Sequence, residues 1–139
     1  PTIPEDYSGH NRILVEGGVP ISAGENLHTI YDFQHMLQAN GVSYIEPDVS
    51  NCGGITVWMK VAKLAEAKNL PVTSHGVHDI HVHLLGAVPN ASYLEVHGFG
   101  LERFILEPLV VKDGFALAGE APGHGIDFNW DGLCAHTSD

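Results

Sequence analysis

Short apolar runs alternate with stretches of helical period along most of this chain, and an acidic or imidazole residue stands at or near the end of each run. That alternation limits the fold more than any other feature. The run GVPISAG, residues 18–24, is short, apolar and bounded by glycines, which predicts a buried strand. TIYDFQHMLQANG follows, with Ile30, Phe33, Met36 and Leu37 at helical spacing. Thr29 and Asp32 make a variant capping box, and Asn40-Gly41 is a stop signal. SYIEPD predicts a second strand. ITVWMKVAKLAEAKNL predicts a helix with Val57, Val61, Leu64 and Ala65 on one stripe. PVTS predicts a third strand, and DIHVHLLGAV a helix that turns Ile80, Leu84 and Leu85 inward and ends at Pro89. SYLEVHG predicts a fourth strand.

Strands that alternate with helices form right-handed βαβ units and a parallel sheet, so the expected class is α/β. DYSGHNRILVEGG predicts one more helix before the first strand. The tail from Leu109 differs. LVVKDGFALAG reads as a β-hairpin about Lys112-Asp113-Gly114, and PGHGIDFNWDGL is Gly-rich and loop-like.

In a parallel βα array all strand C-termini point to one face, where α/β barrels keep their active sites. Glu25 follows the first strand, Asp48 the second and His75 the third, and Glu95 lies in the fourth. They stand about one βα unit apart, so the four should converge on one rim. Other readings stay beside this one. Asp48 also suits a cap for the next helix, because DVSNCGGIT is rich in turn residues. Gly53-Gly54 suits either a tight turn or an anion at a helix N-terminus. Asn26 and His28 are candidates to touch a substrate at the same rim, and a loop role fits Asn26 equally. Cys52, with no evident base, reads as a packing residue; Trp58 and Trp130 read as core and surface anchors.

Residues 71–86, PVTSHGVHDIHVHLLG, hold His75, His78, His81 and His83. Imidazole suits Zn, Cu, Fe and Ni, so a transition-metal site is one reading. Only His78 and His81, at i and i+3, could share a helical face. No zinc-ligand spacing is present. A helical histidine with satisfied hydrogen bonds is the expected outcome for this trio beyond His75.

The 139 residues suffice for one modest domain, and the 44% hydrophobic fraction supports a core. A net charge of −11 with six Lys and Arg argues against nucleic acid and anionic membranes, which demand basic patches. No apolar run reaches the ~20 residues of a membrane span. Cys52 and Cys134 are too few for a disulfide scaffold, so a cytoplasmic location is expected. The chain starts at Pro1 without methionine, which suits a piece cut from a longer protein.

GENLHTIYDF, EPDVSNCGGIT, SHGVHDIHVHLLGAVPN and YLEV resemble the enolase superfamily, specifically its mandelate racemase group. Among that group they look closest to the acid-sugar dehydratases, and the resemblance runs over nearly the whole chain. It implies the C-terminal half of a modified TIM-type (β/α)7β barrel in residues 1–108. Residues 109–139 would be a tail packing toward a capping domain that lies outside this sequence. It implies one Mg²⁺ held by carboxylates on three successive strands. Glu25 matches the third, and the other two, with a lysine base, would precede Pro1. Asp48 and His75 match an Asp–His dyad whose imidazole is a general acid or base. Glu95 matches a residue that hydrogen-bonds the substrate carboxylate or assists acid catalysis.

The implied chemistry suits these residue types. Mg²⁺ prefers oxygen ligands, so carboxylates rather than imidazoles should hold it. A histidine titrates near neutral pH, and a neighbouring carboxylate fixes its tautomer and orientation. The expected function is removal of the proton α to a carboxylate of a hydroxy or sugar acid, then β-elimination of water. A racemase or epimerase using the same dyad is the first alternative; an inactive fragment or a His-rich metal-binding module is the second. The 139 residues alone are expected to be inactive. The expected partners are a small-molecule carboxylate and, because a half-barrel leaves two open sheet edges, further copies of the chain.

Overall fold

The computed structural model describes residues 2–98 and 101–136. Helix α1 spans Tyr7–Gly17, β1 Ser22–Ala23, α2 Ile30–Gln38, β2 Tyr44–Ile45, α3 Ile55–Glu66 and α4 His78–Gly86. A short 3-10 turn, Leu101–Phe104, leads to the hairpin β3, Val110–Lys112, and β4, Phe115–Leu117, and then to α5, Trp130–Cys134.

Local chemistry accounts for the helix limits. Asp6 caps α1 by accepting the Gly9 N–H at 2.9 Å. Thr29 and Asp32 close the reciprocal capping box of α2, as their spacing predicts. The apolar faces of α2 and α3 pack together, with Phe33, Met36, Leu37, Trp58, Val61, Ala62 and Ala65 all buried.

Four segments pass the core in sequence order, all parallel. Ser22 pairs with Tyr44 and Ala23 with Ile45; Ile45 bridges to Val72, and Val72 to Ala91. Ile45 and Val72 are wholly buried beneath the helices. Only the first two segments form strands, so the third and fourth expected strands reduce to single bridges. Side chains replace the ladder there. Thr73 Oγ1 donates to the Tyr93 carbonyl at 2.6 Å, and the Glu95 N–H donates to Ser74 Oγ at 3.2 Å. Backbone groups bonded to hydroxyls do not count toward a strand, yet the segments stay adjacent.

The tail hairpin turns on Asp113-Gly114, both with positive φ, which a two-residue primed turn requires. The stretch expected to be loop-like instead ends in α5, because Asn129 caps it by accepting the Gly132 N–H at 3.0 Å. Among the described residues no helix is long and apolar enough to cross a membrane.

Candidate active site

The ends of the four parallel segments meet at one rim. His75 is the hub. Its Nδ1 lies 3.0 Å from Asp48 Oδ2, and its Nε2 lies 2.8 Å from Glu25 Oε2. The Gly76 N–H donates to Glu95 Oε2 at 3.2 Å, which brings the fourth segment to the same rim.

Asp48 is 4% exposed, and both its oxygens are engaged. Oδ1 accepts the Ser50 N–H at 2.8 Å and the Ser50 hydroxyl at 2.7 Å; Oδ2 faces His75. Asp48 is therefore not a helix cap: α3 begins at Ile55, and its N-cap Gly54 has no side-chain cap. Burial alone would raise the Asp48 pKa, but the hydrogen bonds from Ser50 and His75 outweigh it, and the net shift is downward. For His75, burial disfavours the charged ring. The Asp48 hydrogen bond and the carboxylates of Glu25 and Glu95 overcome that, and its pKa is raised. Because a carboxylate accepts, Nδ1 carries the proton, and Nε2 is the nitrogen presented to the rim.

Gly76 makes this approach possible. Its φ is +70°, and a Cβ there would stand 2.7 Å from Asp48 Oδ2. Gly76→Ala should therefore displace the Asp48 carboxylate from His75. Misplacement of a reacting group by ~1 Å can cost about 10²-fold in rate. Steady-state kinetics of G76A in the complete protein checks this, with a drop in kcat of about that size as the expected result.

Asn26 donates to Glu25 Oε1 at 2.9 Å and so joins the rim. His28 is exposed just before α2, and among the described residues its side chain makes no hydrogen bond to the rim group. Glu46 is a residue that the sequence reading overlooked. Burial, with Glu95 and Glu25 nearby, raises its pKa against the opposing influence of Ser22 and His75. The signal was present: Glu46 lies two residues before Asp48, and alternate residues of a strand share a face.

The remaining histidines separate. His81 is wholly buried. Its Nε2 accepts the Val49 N–H at 3.1 Å, and its Nδ1 donates to the Gly76 carbonyl at 3.0 Å. With both nitrogens used, His81 is a structural strut rather than a ligand, and His78 and His81 form no joint metal site. His83 lines a separate cavity between α4 and the tail. Burial lowers the His81 pKa, so the unfolded chain binds its proton more readily than the folded one. Its contribution is complete above the unfolded value near 6.5 and falls as pH drops from there toward the lower folded pKa. The difference in urea midpoint between the native protein and His81→Gln should therefore shrink between pH 7 and pH 5. A constant difference would contradict the buried neutral ring.

Cys52 is buried, with its thiol pushed up to about 11 by burial and by Asp48, so it is inert packing. Beside the dyad lies a cavity of about 270 Å³ lined by Asp48, His75, His78, His97 and Glu102. A hard cation suits this acidic rim: Glu25 is only half-buried and supplies carboxylate oxygens there, the ligand type Mg²⁺ prefers.

Comparison with known proteins identifies the family of the chain. Residues 1–132 match the family described as Enolase C-terminal domain-like. A 3,6-anhydro-alpha-L-galactonate cycloisomerase from Streptomyces coelicolor is 51% identical over 133 residues, which is 96% of this chain and 37% of that protein. The structure of a racemase from Streptomyces coelicolor with bound magnesium superposes with a TM-score of 0.91 at 48% identity, over 96% of this chain and 37% of that one. An L-talarate dehydratase from Polaromonas sp. JS666, complexed with Mg and L-glucarate, gives 0.88 at 30% identity over 100% of this chain and 38% of that one. This chain thus spans a little over a third of the length of these relatives.

Proposed function

Because this chain belongs to the Enolase C-terminal domain-like family, whose barrel is of the TIM type, we propose that it carries part of a Mg²⁺-dependent active site. In this reading the complete protein removes the proton α to the carboxylate of a sugar acid and expels the oxygen substituent on the β-carbon. One observation carries it: Glu25, Asp48, His75 and Glu95, from four successive parallel segments, are joined at one rim.

The residues divide the work. Glu25 supplies one carboxylate to the metal, and Asn26 steadies it through Oε1. The bound metal would stabilise negative charge that develops on the substrate carboxylate. His75, whose charged form Asp48 favours, donates its Nε2 proton to the departing oxygen, so the leaving group departs neutral. Asp48 fixes the tautomer and the ring plane. Glu95, held by the Gly76 N–H, would hydrogen-bond the substrate or assist acid catalysis. In this reading other parts of the complete protein supply the rest of the metal ligands and the base for the α-proton, and the 139 residues alone should turn over no substrate. The exposed Val110, Val111, Phe115 and Leu117 of the hairpin suit a face covered by another part of the complete protein.

Loss of water from an open-chain sugar acid is the dehydratase form of this reaction. A second form is favoured by the 51% identical relative. In a 3,6-anhydro acid the β-oxygen belongs to a ring ether. Its expulsion opens the ring, loses no water and is an isomerisation. Both use the same proton from His75. Assay of the complete protein against sugar acids and 3,6-anhydro sugar acids, with 2-keto acid as readout, separates them. Exchange of the α-proton for deuterium without elimination would indicate a racemase. EDTA should abolish turnover and Mg²⁺ restore it; full activity in EDTA would reject the reading.

A further inference from the structure

We propose that His75, Glu95 and His97 form a second metal site at the rim, suited to Zn²⁺ and distinct in chemistry from the carboxylate position at Glu25. One ligand atom from each residue lies within 4.8 Å of the other two, and all three residues are half-buried. Two imidazoles and one carboxylate make up a donor set of open zinc sites, which keep a fourth position for water. Mg²⁺ instead selects oxygen ligands in octahedral array. Neighbouring groups on one rim therefore divide by ligand softness.

The surroundings already hold the three ligands. Glu95 Oε2 accepts the Gly76 N–H and stands 3.3 Å from His97 Nε2. The His97 backbone N–H donates to His78 Nδ1 at 3.3 Å, and its ring meets that of His75 edge-on at 5.5 Å between centroids. Asp48 engages His75 Nδ1, the carboxylate–histidine pairing that orients a metal-binding imidazole and raises its basicity. Nε2 is then the His75 nitrogen for the metal. The imidazole pair lies on two separate segments, not on the helix that carries His78, His81 and His83.

Binding does not depend on the reaction proposed above, but its consequence does. Zn²⁺ on His75 removes the proton donor, so it inhibits. The test is calorimetric titration of the complete protein with Zn²⁺ in saturating Mg²⁺, alongside turnover at each Zn²⁺ concentration. One Zn²⁺ per chain should bind. His97→Gln should weaken binding by at least ~100-fold, since loss of even an outer-shell partner costs about 10–100-fold. His97→Cys, which restores a zinc ligand, should recover most of it. The ratio of turnover with Zn²⁺ to turnover without it should rise toward one in H97Q. Absence of Zn²⁺ binding to the unmodified protein, or binding equal in a folded H97Q, overturns the proposal. Should H97Q not fold, H97C and Glu95→Gln carry the same comparison: retention in the first and loss in the second are required. A protein that binds Zn²⁺ as described yet eliminates nothing from sugar acids refutes the proposed function and leaves this site standing.

Discussion

His75→Asn in the complete protein should lower kcat for elimination by ~10²–10⁴-fold, the usual contribution of one positioned proton donor, while KM changes little. Asparagine is the informative choice. Its side-chain amide can donate to Asp48 in place of Nδ1, so the buried carboxylate at 4% exposure keeps its partner. Only the proton at Nε2 is lost. A second readout assigns the role. If His75 protonates the leaving oxygen, H75N still exchanges the α-proton with solvent deuterium while elimination stops. If His75 instead handles the proton at the α-carbon, exchange stops too. Native kcat in H75N would remove His75 from the chemistry altogether.

Trp58→Ala should be the most destabilising single change in the barrel segment, at about 3–5 kcal/mol. Trp58 is 0% exposed and lies in the centre of the cluster formed by α2 and α3. Its indole N–H donates to the Pro47 carbonyl at 3.1 Å, and its ring lies 6.0 Å from that of His81. Pro47 precedes Asp48, and His81 bonds to Val49 and Gly76 on either side of the dyad. Trp58 is therefore the point where the core supports the rim. Trp58→Phe keeps most of the volume and leaves the Pro47 carbonyl unpaired, which costs about 1–3 kcal/mol. It should also reduce kcat, because the Asp48 loop loses its anchor. Urea unfolding followed by circular dichroism measures the first effect. A W58A protein within 1 kcal/mol of the native one would show that the core does not rest on this residue.

Much of this was legible in the residues. The capping box of α2 is written as Thr29 and Asp32, and the Asp113-Gly114 turn as its own dipeptide. The convergence of Glu25, Asp48, His75 and Glu95 followed from the spacing of a repeated βα unit. What escaped had tertiary causes. SYLEVHG looks like a strand, but the hydroxyls of Thr73 and Ser74 capture its backbone groups. No periodicity reports that substitution. Trp58, read as a core anchor, is wholly buried, whereas Val57 and Leu64 of the expected stripe are only partly buried.

The sequence by itself determined the order of elements, the class of fold and the set of groups at the rim, because those depend on period, caps and turn chemistry that act within a few residues. The tertiary structure decided which partner each group meets. Asp48 serves His75 rather than α3, His81 is a strut, and Glu46 and His97 join the neighbourhood of the rim. The decisive contacts, Asp48 to His75 and His81 to Val49, are about 3 Å long and join residues 27 and 32 positions apart, and only the packing of parallel segments against their helices fixes such distances.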